Sequence, residues 1–232
     1  VEKRVVTVLR SGGEYEPKHV LAMQRQVAQW APDAMYECLS DIDIPGVKCT
    51  PLRHSWPGWW AKLELFRPDI EGGYLYTDLD NVIVGPIDDM FRTRYTTQAT
   101  GWNALMYVPR DDHEFALNAR RAYREFKLDQ DRGALETFRQ KFKSAEPFVP
   151  FGDAGFMNQY VSGEAWEEVL PGQVVNIVQL ITRWPFTHQQ ADPLTYPYKR
   201  PPPGTRVVLC ANKIRRPWKL KLFQHLYDEG EV

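Results

Sequence analysis

The chain has 232 residues, enough for one α/β domain with a sizeable core. Lys and Arg total 29 against 30 Asp and Glu, a net charge of −1, so no global field draws the protein to nucleic acid or an anionic membrane, and a polyanion partner would have to be held by a local patch. With 43% hydrophobic and 25% charged residues the composition is that of a globular protein, and no apolar run approaches the roughly 20 residues of a bilayer span, which excludes a membrane-spanning class.

Residues 4 to 9 (RVVTVL) are β-branched and run into Ser11-Gly12-Gly13, which predicts a buried strand ending in a permissive turn. No apolar leader with a cleavage site precedes this strand. The three cysteines, Cys38, Cys49 and Cys210, form no C-x-x-C pair, so neither a disulfide framework nor a zinc site is expected, and the predicted setting is reducing and cytoplasmic. Pro17 can open a helix whose apolar positions Val20, Met23, Val27 and Trp30 recur at helical spacing. Met35 to Leu39 predicts a second strand, and Val47 to Leu52 a third near a sheet edge, because Pro51 is poorly tolerated centrally. Trp59 to Phe66 is helical in pattern and stops at Arg67-Pro68.

A strand from Tyr74 then delivers Asp78 and Asp80, and a second apolar segment leads away to Gly85. Asn103 to Val108 is a further strand, followed by a helix capped by Asp111 or Asp112 and running to about Leu128. Amphipathic helices are expected from Asp131 to Lys143 and from Ala154 to Val161, and strands over Val174 to Val178 and Arg206 to Leu209. Residues 187–204 form a proline-rich loop, and 211–232 a basic terminal segment. The alternation predicts a single α/β domain with a mixed, mostly parallel central sheet flanked by helices.

Three Asp-x-Asp triplets occur where composition alone, with 15 Asp, predicts about one. Asp41/Asp43 follows the second strand and Asp129/Asp131 falls in a polar turn between helices, both readable as solvated carboxylates. Asp78/Asp80 lies where two apolar strands meet. In an extended segment residues i and i+2 project to one side, so this pair can converge on a hard cation that also takes phosphate oxygens.

The run Trp56-Pro-Gly-Trp-Trp-Ala-Lys62-Leu-Glu-Leu-Phe followed by Tyr74-Leu-Tyr-Thr-Asp78-Leu-Asp80-Asn-Val-Ile-Val resembles the core of the GT-A glycosyltransferases, close to the family 8 branch of glycogenin-like and galactosyltransferase-like enzymes with its phage and bacterial relatives. The resemblance implies that Asp78 and Asp80 hold Mn²⁺ or Mg²⁺ on the diphosphate of a nucleotide sugar. It makes Asp78 and Lys62 donor contacts and assigns Leu9, Arg10, Ser11 and Tyr15 to the segment around the base and ribose. The family's G-D-Q-x-x-x-N helix survives as Gly152-Asp153-Ala154 to Asn158, with Ala154 replacing Gln, so Asp153 is the residue expected near the anomeric carbon. Asn103 resembles a strand-end Asn that touches donor or acceptor, although a structural Asn bonded to backbone reads almost as well. A late His-containing element ending in Lys-Pro-Trp is matched by Cys210-Ala-Asn212-Lys213-Ile-Arg215-Arg216-Pro-Trp218. Arg216 and Lys213 there face the phosphates, and the third metal ligand falls on Asn212 or Cys210.

The expected activity is transfer of a sugar from a UDP-sugar to a hydroxyl acceptor, a glycan or small molecule. One alternative is a phage-type enzyme acting on hydroxymethylated bases, prompted by the basic residues Lys213, Arg215, Arg216, Lys219 and Lys221 around Trp218. Another is an inactive nucleotide-sugar-binding module, prompted by the missing His and Gln. A nucleotidyl transferase ranks last, because no phosphate-cradling glycine loop is present. Arg120, Arg121, Arg124 and Lys127 read mainly as a solvated helix face. Trp56, Trp59 and Trp60 suit either stacking on a sugar or base, or core packing.

Overall fold

The computed structural model describes residues 2–99, 103–131, 152–177, 201–210, 216–220 and 222–228. The helix expected over 132–143, most of the proline-rich loop, and Asn212, Lys213, Arg215 and Lys221 lie outside these residues.

The β-branched opening forms β1 (Arg4–Leu9), and α1 (Pro17–Trp30) follows with its proline in the first turn. β2 (Met35–Ser40) and β3 (Lys48–Pro51) add in parallel on one side of β1, and β3, with Pro51 as its last residue, is the edge strand. β4 (Tyr74–Thr77) adds in parallel on the other side of β1. β7 (Leu105–Val108) is antiparallel to β4, and the two-residue strands β6 (Thr96–Thr97) and β8 (Glu164–Ala165) complete a seven-stranded sheet in the order β3-β2-β1-β4-β7-β6-β8. A second sheet of three strands, β5 (Asn81–Ile83), β10 (Val207–Leu209) and β9 (Val174–Asn176), was not expected as a separate unit. Its strands fall within segments that the sequence marks as apolar or strand-forming, and what the sequence does not show is that they pair with one another instead of joining the large sheet.

Strand alternation divides the core into two layers. Val5 and Leu9 of β1, Leu75 of β4 and Leu105 and Tyr107 of β7 face α1 and residues of the small sheet. Val6, Tyr74, Tyr76, Met106 and Val108 face the other way, toward α2 (His113–Asp131) and the helical segment 58–66. Asp112 caps α2 by accepting from the amide of Phe115 at 2.9 Å, as expected. The Asp129/Asp131 triplet belongs to the last turn of α2, which runs past the turn predicted for it.

The segment Gly58–Phe66 is helical but is a 3₁₀ helix, nine residues long, where such helices usually last three or four. Three residues per turn align Trp60, Leu63 and Phe66 on one buried column, and the same spacing suits an α-helix, so sequence alone does not separate the two. Glu64, fully buried, anchors this helix: its carboxylate accepts from the amides of Arg53 and His54 at 2.7 and 2.9 Å and pairs with the buried Arg67 at 2.8 Å. α3 (Gly152–Met157) begins two residues before the expected Ala154 and ends before Val161, and α4 (Trp166–Val169) is a further single turn. At Gly152, φ is +66° and a Cβ would meet the Trp59 indole nitrogen at 2.7 Å, so only glycine starts α3 there without displacement.

Removing the Glu64 carboxylate leaves Arg67 buried beside two unpaired amides. Glu64→Ala should cost about 3 kcal/mol, read as a lower urea midpoint with an unchanged slope, whereas truncating the exposed Leu117 should change it by less than about 0.5 kcal/mol.

Candidate active site

In the large sheet the chain moves from β1 to β2 and β3 in one direction, and β4 then joins on the opposite side of β1. Strand order reverses between β1 and β4, and the crevice outside the carboxyl ends of these strands is where open α/β sheets bind ligands. The loop after β1 and the turn after β4 both open there.

Asp78 and Asp80 lie in that turn. They are not in an extended segment: Leu79 and Asp80 form a tight turn closed by the Asn81 amide donating to the Asp78 carbonyl at 3.1 Å. The expected alternation is therefore corrected, and it is the turn that brings the two carboxylates together. Asn81 holds it from below, donating to Thr77 Oγ1 at 3.1 Å and the Ala104 carbonyl at 2.7 Å, while the Asp78 amide donates to the same carbonyl at 2.8 Å. The Tyr76 hydroxyl donates to the Asp78 carboxylate.

Each acid has a cation. Lys62 Nζ, from the 3₁₀ helix, sits 2.9 Å from Asp78 Oδ1 and 3.5 Å from Asp153 Oδ2, and 3.4 Å from Asn103 Oδ1. Asn103 in turn donates its amide to Asp153 Oδ2 at 2.7 Å, so Lys62, Asp78, Asn103 and Asp153 form one network drawn from four separate elements. The Arg216 guanidinium pairs with Asp80 through Nη1 and with Glu14 through Nε and Nη2, at 3.1 and 3.0 Å.

Burial raises the Asp153 pKa, and Lys62 opposes that shift. Burial and the neighbouring Asp78 lift Asp80 to about 6 against the pull of Arg216. Burial alone would lower the Lys62 pKa, but Asp153 and Asp78 outweigh it and hold the ammonium above its usual range. Tyr15 bonds to Asp80, and burial followed by the two aspartates pushes its hydroxyl well above the ordinary value.

The segment after β1 reaches the same crevice by a different route. Ser11 donates from its amide and its hydroxyl to Asp41, both at 2.7 Å, and Arg10 pairs with Asp41 at 3.3 Å. Asp41, set aside in the sequence as a solvated carboxylate, thus fixes the loop assigned to the base and ribose. Its signal was positional, since the carboxyl ends of β1 and β2 are adjacent in a parallel pair. The Leu9 side chain lies in the core at 1% exposure, which leaves only its main chain for a ligand. Trp218 packs on His19 with ring centroids 4.0 Å apart and meets Tyr15 and Tyr227 edge-on. Trp56 and Trp60 are buried, while Trp59 is 53% exposed. Glu14, Tyr76 and Asn81 were missed, because none belongs to a recognisable spacing.

A divalent cation is the group that the fold family implies. Asp78 and Asp80 supply hard oxygen donors suited to Mg²⁺ or Mn²⁺. Among the described residues no three His, Cys, Asp or Glu side chains gather into a closed cage. Cys210 is fully buried, burial first and Asp80 second push its thiol well above its ordinary pKa, and a soft sulfur is a poor match for Mg²⁺ or Mn²⁺. Asn212 lies outside the described residues. The pair fits a cation that completes its coordination with phosphate oxygens and water.

No protein-family model matches the sequence, and no curated protein matches it. The fold is shared with glycosyltransferases of known structure. An active-site variant of LgtC aligns at a TM-score of 0.55 and 10% identity over 96% of this chain and 94% of that one. The galactosyltransferase LgtC in complex with donor and acceptor sugar analogues aligns at 0.53 and 11% over 97% and 95%. GlyE of Streptococcus pneumoniae TIGR4 aligns at 0.46 and 11% identity over 71% of this chain, which spans only 44% of that one. The chain has the GT-A fold, in agreement with the architecture read from the sequence.

The Lys62 network carries a pH signature. An aspartate whose folded pKa is raised binds its proton more readily in the native state, so its contribution to stability falls as pH rises from the unfolded value near 3.8 through the folded one. Lys62→Met removes the opposing charge and raises Asp153 further. Thermal melts should show the variant losing more stability than wild type as pH rises above the unfolded value, a difference to which Asp80 contributes in the same sense because Lys62 lowers its pKa as well.

Proposed function

We propose that the protein is a metal-dependent glycosyltransferase that moves a sugar from a nucleotide sugar, a UDP-sugar in the first instance, to a hydroxyl acceptor. The observation that carries this reading is the acidic turn at the β1/β4 switch point of a GT-A sheet, with Asp78 held against Lys62 of the preceding helix and Asp80 against Arg216 from 136 residues further on. Such a place accepts a diphosphate, which brings negative charge and its own oxygen ligands.

As the glycosidic C–O bond breaks, negative charge grows on the leaving diphosphate, and donors already aimed at it lower the barrier. Asp78 and Asp80 would hold Mn²⁺ or Mg²⁺, which when bound supplies Lewis-acid neutralisation of that charge. Arg216 contributes a fixed cation from the opposite side of Asp80, and Lys213 on the same segment is assigned to the phosphates. Lys62 bridges the metal-side Asp78 and the sugar-side Asp153, so it keeps the two acids in one fixed relation. Asp153, buried and oriented by Asn103, is the group for a sugar hydroxyl near the anomeric carbon or for the attacking hydroxyl. Arg10, Ser11 and Tyr15 line the side on which the base and ribose would lie.

For the acceptor a glycan or small hydroxyl compound is favoured over hydroxymethylated DNA. Among the described residues of the basic segment, Arg216 is turned toward the acidic turn and Glu14, and Trp218 is packed on His19, an arrangement that supports donor binding over a stacking track for DNA. Trp59 offers an exposed indole beside Gly152, the residue next to Asp153, and suits the C–H face of a sugar. The intact network of Lys62, Asp78, Asn103 and Asp153 supports an active enzyme over a binding module that has lost its chemistry.

Hydrolysis of UDP-, GDP- and other nucleotide sugars with Mn²⁺ tests the activity, and absence of turnover with every donor would refute it. Asp80→Asn should lower metal-dependent turnover roughly 10²–10³-fold while the circular dichroism spectrum stays that of wild type, and full activity in this variant would overturn the site. Once an acceptor is found, Trp59→Ala should raise its KM about tenfold and leave the donor KM unchanged, and transfer to hydroxymethylcytosine DNA but not to free sugars would reverse the acceptor preference.

A further inference from the structure

Glu14 belongs to no motif, yet its carboxylate takes Arg216 by the edge, with Nε to Oε1 at 3.1 Å and Nη2 to Oε2 at 3.0 Å. This is the two-pronged arrangement that fixes a guanidinium in both position and plane. The face of the same guanidinium lies over the Tyr15 ring, with Cζ 5.0 Å from the ring centroid, and its remaining nitrogen, Nη1, points at Asp80. These contacts hold Arg216 by its edge and its face, so that Nη1 is held against the acidic turn.

We propose that Glu14 is a positioning residue that clamps Arg216 so that Nη1 is presented to the donor diphosphate. The proposal rests on the reading of the site given above. In the donor-free protein Nη1 satisfies Asp80. When a diphosphate enters, Nη1 passes from the Asp80 carboxylate to a phosphate oxygen while the Nε and Nη2 bonds to Glu14 stay in place, so the cation changes partner without losing its orientation. Without the clamp the whole guanidinium is free to turn its two-pronged edge onto Asp80, where it competes with both the phosphate and the metal for the same charge. Glu14 can do this because it follows Gly12, whose φ of +78° turns the chain back over the carboxyl end of β1.

Glu14→Gln keeps the shape but turns one acceptor into a donor facing a donor. Binding of UDP and of uridine monophosphate in the presence of Mn²⁺, measured by titration calorimetry, reads the effect. The clamp predicts that Glu14→Gln weakens UDP about tenfold and uridine monophosphate little, that Arg216→Ala weakens UDP at least as much, and that adding Glu14→Gln to Arg216→Ala changes nothing further. In turnover with UDP-sugar the loss should fall on the donor KM more than on kcat. UDP affinity equal to wild type in Glu14→Gln overturns the clamp and leaves the functional reading standing. Equal weakening of both nucleotides also overturns it, by showing a role in shaping the loop alone. Failure of the wild type to bind UDP, GDP or ADP with Mn²⁺ overturns the functional reading and the clamp with it.

Discussion

Asp78, Asp80 and Asp153 are gathered at the carboxyl end of the sheet, and the two of them that are almost completely buried, Asp80 and Asp153, lie at 6% and 5% exposure. Carboxylates removed from water this far survive as charges only if cations and donors are brought to them. That requirement explains why the surrounding structure is arranged as it is. Lys62 must be carried in on a helix braced by a buried Glu64–Arg67 pair, Asn103 must stand at the entrance to β7, and Arg216 must arrive from a segment more than 130 residues beyond Asp80. The fold supplies a rigid frame on which compensating charges from distant parts of the sequence can be held within about 3 Å of each other.

Charge concentrated in this way is costly to an empty protein and useful to an occupied one. Asp80 illustrates the balance: burial and Asp78 press it toward its neutral form while Arg216 holds it ionised. On the proposed function, a ligand carrying both a divalent cation and a diphosphate would relieve both strains at once, the cation meeting the acids and the phosphates meeting the guanidinium. Affinity for metal and affinity for nucleotide would then be linked, each favouring the other through the same two side chains.

Legibility from sequence followed distance along the chain. β1, α1, β2 and the Asp112 cap were readable because β-branched runs, helical spacing and capping chemistry are local. The Asp78/Asp80 turn was readable as a site because apolar strands flank it, although the reason its carboxylates converge was a turn and not strand alternation. The 3₁₀ character of Gly58–Phe66 was hidden, since apolar residues three apart suit either helix. β6 and β8 were hidden because two residues cannot display a period, whereas β9 and β10 were read as strands and only their pairing with β5 in a separate sheet was not legible, because pairing is a long-range contact. Glu14 was hidden for a stronger reason: its partner lies 202 positions away, and nothing in a loop glutamate announces such a neighbour.

The site is written across nearly the whole chain, at 14, 62, 78, 80, 103, 153 and 216, and this has a consequence for the order of its assembly. The parallel core of β1, β2 and β4 is complete by Thr77, and Asp78 acquires Lys62 from a segment already made. Asp80 waits for Arg216, and contacts of such long range form late in folding. Until that contact closes, the acidic turn has only its first cation. The Asp80–Arg216 pair is therefore the contact that completes the cluster, tying together two positions 136 residues apart.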